Sequence, residues 1–243
     1  MDDHQLAAWL ARRAGELLVP LRDGTLDGGA IGLVGDQTAN AFLMSSLKML
    51  RPGDAILSEE SPDDLARLAA SRVWIIDPLD GTREYQEQRS DWAVHVALAV
   101  DGVPAAGAVA QPGIGRIFGT AAVQPPPRSE RRPIMLVSRT RPPDGSEVLA
   151  DTLGAELRFM GSAGAKAAAV IAGEADLYFH VGGQHEWDNC APVAVALAAG
   201  LIACRIDGSP IRYNQADAKV PDLLIATPDI GRAALAFLAA AGT

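Results

Sequence analysis

The chain has 243 residues, 49% of them hydrophobic, enough for one large domain or two smaller ones with real cores. Its formal net charge of -9 argues against nucleic acid and against anionic membrane surfaces as general partners. The charge leaves a small phosphorylated substrate open, because bound cations reverse the local sign at a site.

The N-terminus, Met1-Asp2-Asp3-His4, lacks the basic region and following apolar stretch of a signal peptide, and no apolar run approaches membrane-spanning length. A soluble cytoplasmic protein is the expectation. Leu6, Trp9, Leu10, Leu17, Leu18 and Leu21 form a helical stripe with Asp2 or Asp3 as its cap. Gly24 to Gly35 is glycine-rich and reads as a turn or short hairpin. Asp36 to Leu50 reads as a second helix with Phe42, Leu43, Leu47 and Leu50 facing inward, stopped by Arg51-Pro52-Gly53. Strands follow near 55–57 and 73–77. Trp92 to Val100 is a longer strand, turned by Asp101-Gly102 into 103–110, and Pro112-Gly113 turns again into Arg116 to Thr120. The pattern predicts an antiparallel meander flanked by helices.

Val123 to Pro133 breaks this pattern with Pro125-Pro126-Pro127, Pro133 and the arginines Arg128, Arg131 and Arg132. It reads as an extended boundary between an N-terminal α+β half, 1–124, and a C-terminal α/β half, 134–243; composition alone allows a surface loop within one domain as well. Beyond it come strand (134–138), helix (144–153), strand (156–160), helix (163–172), strand (176–181), helix (189–199), strands (201–206 and 222–227) and helix (229–241). Cys190 and Cys204 show no metal-ligand spacing and read as small buried residues.

The chemistry-bearing stretch is Val73-Trp-Ile-Ile-Asp-Pro-Leu-Asp-Gly-Thr82. An apolar strand ends on Asp77-Pro78, where the residue before proline is pushed to extended geometry, so Asp77 is expected at the strand tip. Asp80-Gly81 reads as a tight turn. Two carboxylates and the Thr82 hydroxyl thus leave one rigid strand, as in sites for oxygen-ligating cations; a surface turn is the alternative. Ser58-Glu59-Glu60 ends a second apolar strand, and Glu186-Trp187-Asp188 is a third acidic point.

D-P-L-D-G-T with the upstream S-E-E and the downstream W-D resembles the inositol monophosphatase family, magnesium-dependent, lithium-sensitive phosphatases of small sugar and nucleotide phosphates. The resemblance spans roughly residues 5 to 240. It implies a layered α-β-α-β-α sandwich with the active site between the halves, and two to three magnesium ions. Carried over by position, Glu59, Asp77 and the Leu79 carbonyl hold the first ion. Asp77, Asp80 and Asp188 hold the second, and Glu59 with waters supports a looser third. All-oxygen donors suit magnesium over zinc, and paired metals suit in-line displacement at phosphorus. Thr82 is expected to position the attacking water, and Asp36 to accept hydrogen bonds from Thr82 or that water. The family's T-x-x-D pattern is altered here to Leu33-Val34-Gly35-Asp36, which leaves a helix N-cap as the other role for Asp36. Asp188 is also placed to cap the helix that follows it. Trp187 and His95 read as core residues, Glu60 as either an orienting or a solvated carboxylate, and His180 and His185 as either substrate contacts or surface residues.

Gly161-Ser162-Ala163-Gly164-Ala165-Lys166 opens a helix after a strand. In the family this stretch lies beside the substrate, which makes Ser162 and Lys166 binding candidates alongside Gly81 and Thr82; close helix–sheet packing is the other reading. The glutamate that inositol-using members carry before the W-D stretch is absent. Asp80 to Tyr85, Ser138-Arg139-Thr140-Arg141-Pro142-Pro143 and Gly208 to Asn214 resemble instead the CysQ branch, phosphatases of 3′-phosphoadenosine 5′-phosphate, with actinobacterial members nearest. On that resemblance Arg139 and Arg141 lie at the 5′-phosphate, since guanidinium fits phosphate bidentately, Ser138 is a further substrate-binding candidate, and Tyr213 flanks the adenine. The alternatives are turnover of inositol 1-phosphate, with fructose 1,6-bisphosphate as a side substrate, and a non-catalytic phospholigand sensor. The resemblance also implies that a homodimer is common among relatives.

Overall fold

A computed structural model describes residues 1–24, 28–127 and 130–242 of the chain. Two five-stranded sheets alternate with three helical layers. Helix α1 (Asp3–Arg22) starts where the Asp2 carboxylate accepts from the Gln5 backbone N–H at 2.8 Å. Leu6, Leu10 and Leu18 of its stripe are buried, each contributing roughly 1.5–3 kcal/mol, while Leu17 faces solvent. Helix α2 runs Gly28–Leu50, so residues 28–35, expected in a turn or hairpin, are helical. The rest of that expected turn, at 25–27, lies outside the described residues, as does Arg128. Gly35 is needed for packing: a Cβ there would press on Leu18, Leu79 and Tyr85 at 3.2 Å. Asp36 is therefore inside a helix and not its N-cap. Leu43 and Leu47 are buried, whereas Leu50 is largely exposed.

Strands β1 (Ala55–Ser58), β2 (Arg72–Asp80), β3 (Ala93–Val100), β4 (Val103–Gln111) and β5 (Arg116–Gly119) form the first sheet in chain order. β1 runs parallel to β2, and the remaining pairs are the expected antiparallel meander. Asp77 is not at the tip of β2. The ladder to β3 breaks after the Asp77–His95 pair and resumes at Asp80–Ala93; Pro78, which has no N–H to donate, sits in that bulge. The short helix α3 (Thr82–Gln86) follows, and Tyr85 Oη donates to the Leu18 carbonyl at 2.6 Å, tying the motif to α1.

The second sheet, ordered β7-β6-β8-β10-β9, is mixed. It comprises β6 (Ile134–Ser138), β7 (Glu156–Met160), β8 (Leu177–His185), β9 (Ile202–Cys204) and β10 (Lys219–Ala226). β7 and β8 flank β6 in parallel; β10 is antiparallel to β8 and β9. Its helices are α4 (Ser146–Thr152), α5 (Ala163–Ile171), α6 (Glu186–Ala198) and α7 (Pro228–Ala241).

Three apolar clusters define the layers. One joins α1 and α2 to the outer face of the first sheet. The second holds alanine-rich α5 and α6 between the two sheets. The third covers the far face of the second sheet with α4 and α7. This is a layered α-β-α-β-α sandwich. Small residues make the middle layer thin: Gly107 on β4 lies so near α6 that a Cβ would meet Ala194 at 3.0 Å. No helix among the described residues is long and apolar enough to cross a membrane.

Candidate active site

The ends of β1 and β2 and the N-termini of α5 and α6 meet at one end of the middle layer. Each brings a carboxylate or the donors that hold one. Asp77, Asp80 and Asp188 offer oxygens that all lie within 4.8 Å of one another. Asp77 is buried in the bulge and accepts from the Leu79 N–H at 3.0 Å. Glu59 follows β1, its N–H on the Ile76 carbonyl, and its carboxyl lies close enough to that of Asp77 for its charge to add to burial in raising the Asp77 pKa. Asp188 is the third residue of α6 and accepts from the His185 N–H at 2.6 Å. Capping therefore occupies one of its oxygens and leaves the other for the cluster.

Asp80 is held differently. Its oxygens accept from the Ala163 N–H at 3.1 Å, from the Gly164 N–H at 2.6 Å and from the Ser162 hydroxyl. His95 Nε2 lies 3.3 Å away. The N-terminus of α5 thus grips an aspartate delivered from the other sheet, where a negative charge is favoured. Ser162 pays for this geometry with φ +39°, a backbone region that favours glycine. Gly164 has no alternative: a Cβ there would lie 2.1 Å from His95 Nε2.

These surroundings split the acids. Burial favours the protonated form of Asp80, but His95, Ser162 and the Gly164 N–H outweigh it and hold its pKa at about 2. Asp77 is pushed well up by burial and by Glu59, Asp80 and Asp188. Glu59 is raised, first by burial, and Asp188 is pushed to about 7 by burial and Asp80. Asp36, on α2, is raised to about 8 by burial and by Glu60 and Glu59, and its Oδ1 has no hydrogen-bond partner. Glu60 thus acts on Asp36 by charge. A group of carboxylates that favours protonation when left alone, with only oxygen donors and an unpartnered buried oxygen beside it, fits hard divalent cations. Thr82 Oγ1 stands 3.2 Å from the Leu79 carbonyl and 3.4 Å from Asp36 Oδ2, and its single proton serves one of them at a time.

A cleft of about 510 Å³ opens from this cluster. Asp80, Gly81, Thr82, Ser138, Arg141, Ser162, Lys166 and Asp188 line it, eight of the positions expected from the sequence. Gly81 takes φ +89° at the start of α3. Ser138 Oγ accepts from the Arg141 N–H at 3.2 Å, and the exposed Arg141 guanidinium makes no hydrogen bond to a described residue.

Four expected substrate contacts are corrected. Tyr213 is fully buried between the sheets, its hydroxyl donating to Asn189 at 3.0 Å, and has no face left for adenine. Arg139 is spent on protein carboxylates, Glu84 at 2.6 Å and Glu87 at 2.9 Å, and does not line the cleft. Lys166 lines the cleft but is buried, with Nζ donating to the carbonyls of Met160, Gly161 and Ser162; burial lowers its pKa to about 8. The Ser162 hydroxyl is likewise committed, to Asp80 and to the Ala165 N–H.

Other residues matter that sequence reading left open or missed. His180 is buried against the cleft, with both ring nitrogens unpartnered and its pKa lowered to about 4 by burial, so it is not a surface residue. His185 stacks on half-buried Trp187 at 4.6 Å. Glu84, a buried cleft residue, lay within the Asp80 to Tyr85 stretch but was given no role of its own. His95 is in the core as expected, yet it faces Asp80.

A layered sandwich with converging acids at the end of its middle layer defines a metal-dependent phosphatase fold, and comparison with known proteins agrees. Residues 32–238 match the profile of the Inositol monophosphatase family. A 3′-phosphoadenosine 5′-phosphate phosphatase of Mycobacterium leprae is 48% identical over 246 residues, covering 95% of this chain and 91% of that one. The 3′(2′),5′-bisphosphate nucleotidase CysQ of Escherichia coli K12 is 29% identical over 84% of this chain and 91% of its own. Among solved structures, CysQ from Bacteroides thetaiotaomicron superposes with a TM-score of 0.80 at 24% identity, covering 91% of this chain and 96% of that one. The chain belongs to the inositol monophosphatase family.

Proposed function

We propose that the chain is a magnesium-dependent 3′(2′),5′-bisphosphate nucleotidase that removes the 3′-phosphate of 3′-phosphoadenosine 5′-phosphate in sulfur assimilation. The observation that carries this reading is the convergence of Asp77, Asp80 and Asp188 at the end of a cleft that also presents Arg141. The name of the 48%-identical mycobacterial relative supports the choice of substrate.

Glu59, Asp77 with the Leu79 carbonyl, Asp80 and Asp188 hold magnesium, two to three ions in this reading. When bound, magnesium polarises the phosphoryl oxygens and lowers the pKa of a water. The need for cations follows from charge. The cleft's acids repel phosphate, Lys166 is spent on backbone carbonyls and Arg139 on glutamates. Thr82 and Asp36 orient the attacking water: Thr82 donates toward Asp36, and the unpartnered Asp36 Oδ1 accepts from that water. Arg141 binds the second phosphate of the substrate, because its planar donors are unspent. The halves 1–124 and 134–243 each supply one side of the cleft. A cytoplasmic location, lithium inhibition and dimerisation belong to the same proposal.

The test is phosphate release by purified protein with magnesium, comparing 3′-phosphoadenosine 5′-phosphate with inositol 1-phosphate at matched low concentration. A large preference for the nucleotide is expected. Comparable turnover of the two refutes the substrate assignment, and no turnover of either refutes the catalytic one.

A further inference from the structure

His95 is the one side chain that touches both acid-bearing segments among the contacts described above. It sits on β3, wholly buried, opposite Asp77 in the ladder. Its Nδ1 lies 3.0 Å from the carbonyl oxygen of Trp187, the residue before Asp188. Its Nε2 lies 3.3 Å from Asp80 Oδ2, the oxygen that also receives the Gly164 N–H. The ring fills a space that only a glycine at 164 leaves open. A packing residue needs none of this polarity. A leucine or phenylalanine would suit the apolar neighbours, and a buried imidazole with one nitrogen on a carbonyl and the other left without a hydrogen bond, facing a carboxylate at 3.3 Å, is costly unless those positions matter.

We propose that His95 is a positioning residue that sets the spacing between the D-P-L-D-G and W-D segments, acting through Asp80 and the Trp187 carbonyl so that Asp80 and Asp188 present their oxygens to one cation. The inference rests on the magnesium-dependent reading of the site. Asp80 arrives from the first sheet and Asp188 from a helix that packs between the sheets. Neither segment is covalently near the other, and small relative shifts would spoil a shared ligand set. The imidazole is a rigid strut between them.

The test uses His95→Asn, His95→Gln and His95→Phe in the full chain. The asparagine amide reaches about as far as Nδ1 and keeps the Trp187 contact; the glutamine amide reaches about as far as Nε2 and keeps the Asp80 contact; phenylalanine keeps neither. Manganese is the probe, with free ion counted by paramagnetic resonance and the metal-induced rise in melting temperature measured alongside. His95→Phe is expected to weaken manganese binding by about 10–100-fold, the usual loss for an outer-sphere partner. Asparagine and glutamine are expected to give smaller losses each. At saturating magnesium the KM for substrate should stay within about twofold of wild type, since no substrate contact is removed. If His95→Phe does not fold, a several-fold loss in both amide variants still supports the strut. Wild-type manganese affinity in every folded variant overturns it, even where melting temperatures fall. If wild-type protein itself binds no manganese, the metal reading fails and the inference with it, an outcome separate from the previous one.

Discussion

Removing the Ser162 hydroxyl tests how Asp80 is held. The hydroxyl donates to the Asp80 carboxylate and accepts from the Ala165 N–H, so it serves at once as a charge-assisted donor and as the N-cap of α5. A hydrogen bond to a charged group is worth about 1.5–3 kcal/mol, and an N-cap serine replaced by alanine costs about 1 kcal/mol. The two share one oxygen and do not simply add, which gives about 3 kcal/mol for Ser162→Ala. Across a chain of this size that lowers the melting temperature by roughly 6–12 °C. Ser162→Gly removes the same hydroxyl but relieves φ +39°. Left-handed strain costs a non-glycine residue roughly 1–2 kcal/mol, and glycine is a tolerated N-cap, so the glycine variant should be the more stable of the two. Phosphate release should fall about tenfold or more in both, because both leave Asp80 short of one donor. Urea unfolding and a magnesium-dependent phosphatase assay on the same preparations read the two effects separately. An alanine variant within about 0.5 kcal/mol of wild type, the range of an inconsequential surface change, would refute the donor role; a glycine variant less stable than alanine would refute the strain.

Three further outcomes follow from the geometry. Asp188→Asn keeps an oxygen for the His185 N–H but removes a charge crowded by Asp80; phosphate release should fall by more than about 100-fold, while the metal-free protein melts higher at pH 8, and a lower melting point would contradict the crowding. Asp80→Asn is a poorer probe, since an amide NH₂ would face the donors of α5. Without divalent ions, Asp188 at about 7 and Asp36 at about 8 bind protons in the folded state where the unfolded chain has released them. The stability they give is full below about pH 4 and is lost as pH rises through 7 and 8; magnesium should flatten the fall, and a metal-free melting profile flat from pH 5 to 8 would remove the basis for those shifts. Arg139→Ala frees Glu84 at the cleft wall, so KM should rise about equally for bisphosphate and monophosphate, and Glu84→Gln in the same chain should reverse it; a rise confined to the bisphosphate would return Arg139 to phosphate recognition.

Much of the site was legible from local pattern. An apolar run broken by Asp77-Pro78 and followed by Asp80-Gly81-Thr82 says strand and turn, because proline and glycine restrict the backbone wherever they stand, though it placed the strand's end at Asp77 where the structure has a bulge and carries the strand on to Asp80. The same logic found the antiparallel meander of the first half and the helix of the small-residue stretch after Gly161, but it started the helix near Asp188 at 189, whereas α6 begins at Glu186 and carries Asp188. It failed at Gly28–Gly35, where packing of α2 on Leu18, Leu79 and Tyr85 outweighs the poor helix propensity of glycine.

Charged and aromatic residues were the harder part, because their roles depend on partners far away in the chain. Arg139 has the composition of a phosphate ligand, but Glu84, 55 residues earlier, claims it. Tyr213 reads as a base platform until the two sheets close over it. Asp80 finds the Ser162 hydroxyl 82 residues on, and His95 the Trp187 carbonyl 92 residues on. The sequence by itself determined which backbone turns and which acids the chain possesses, since those follow from short-range sterics and residue chemistry. Only the tertiary structure decided which donors are free and which are spent. A hydrogen bond or ion pair is made by whatever group folding brings within about 3 Å, and that distance is not written in any local stretch of chain.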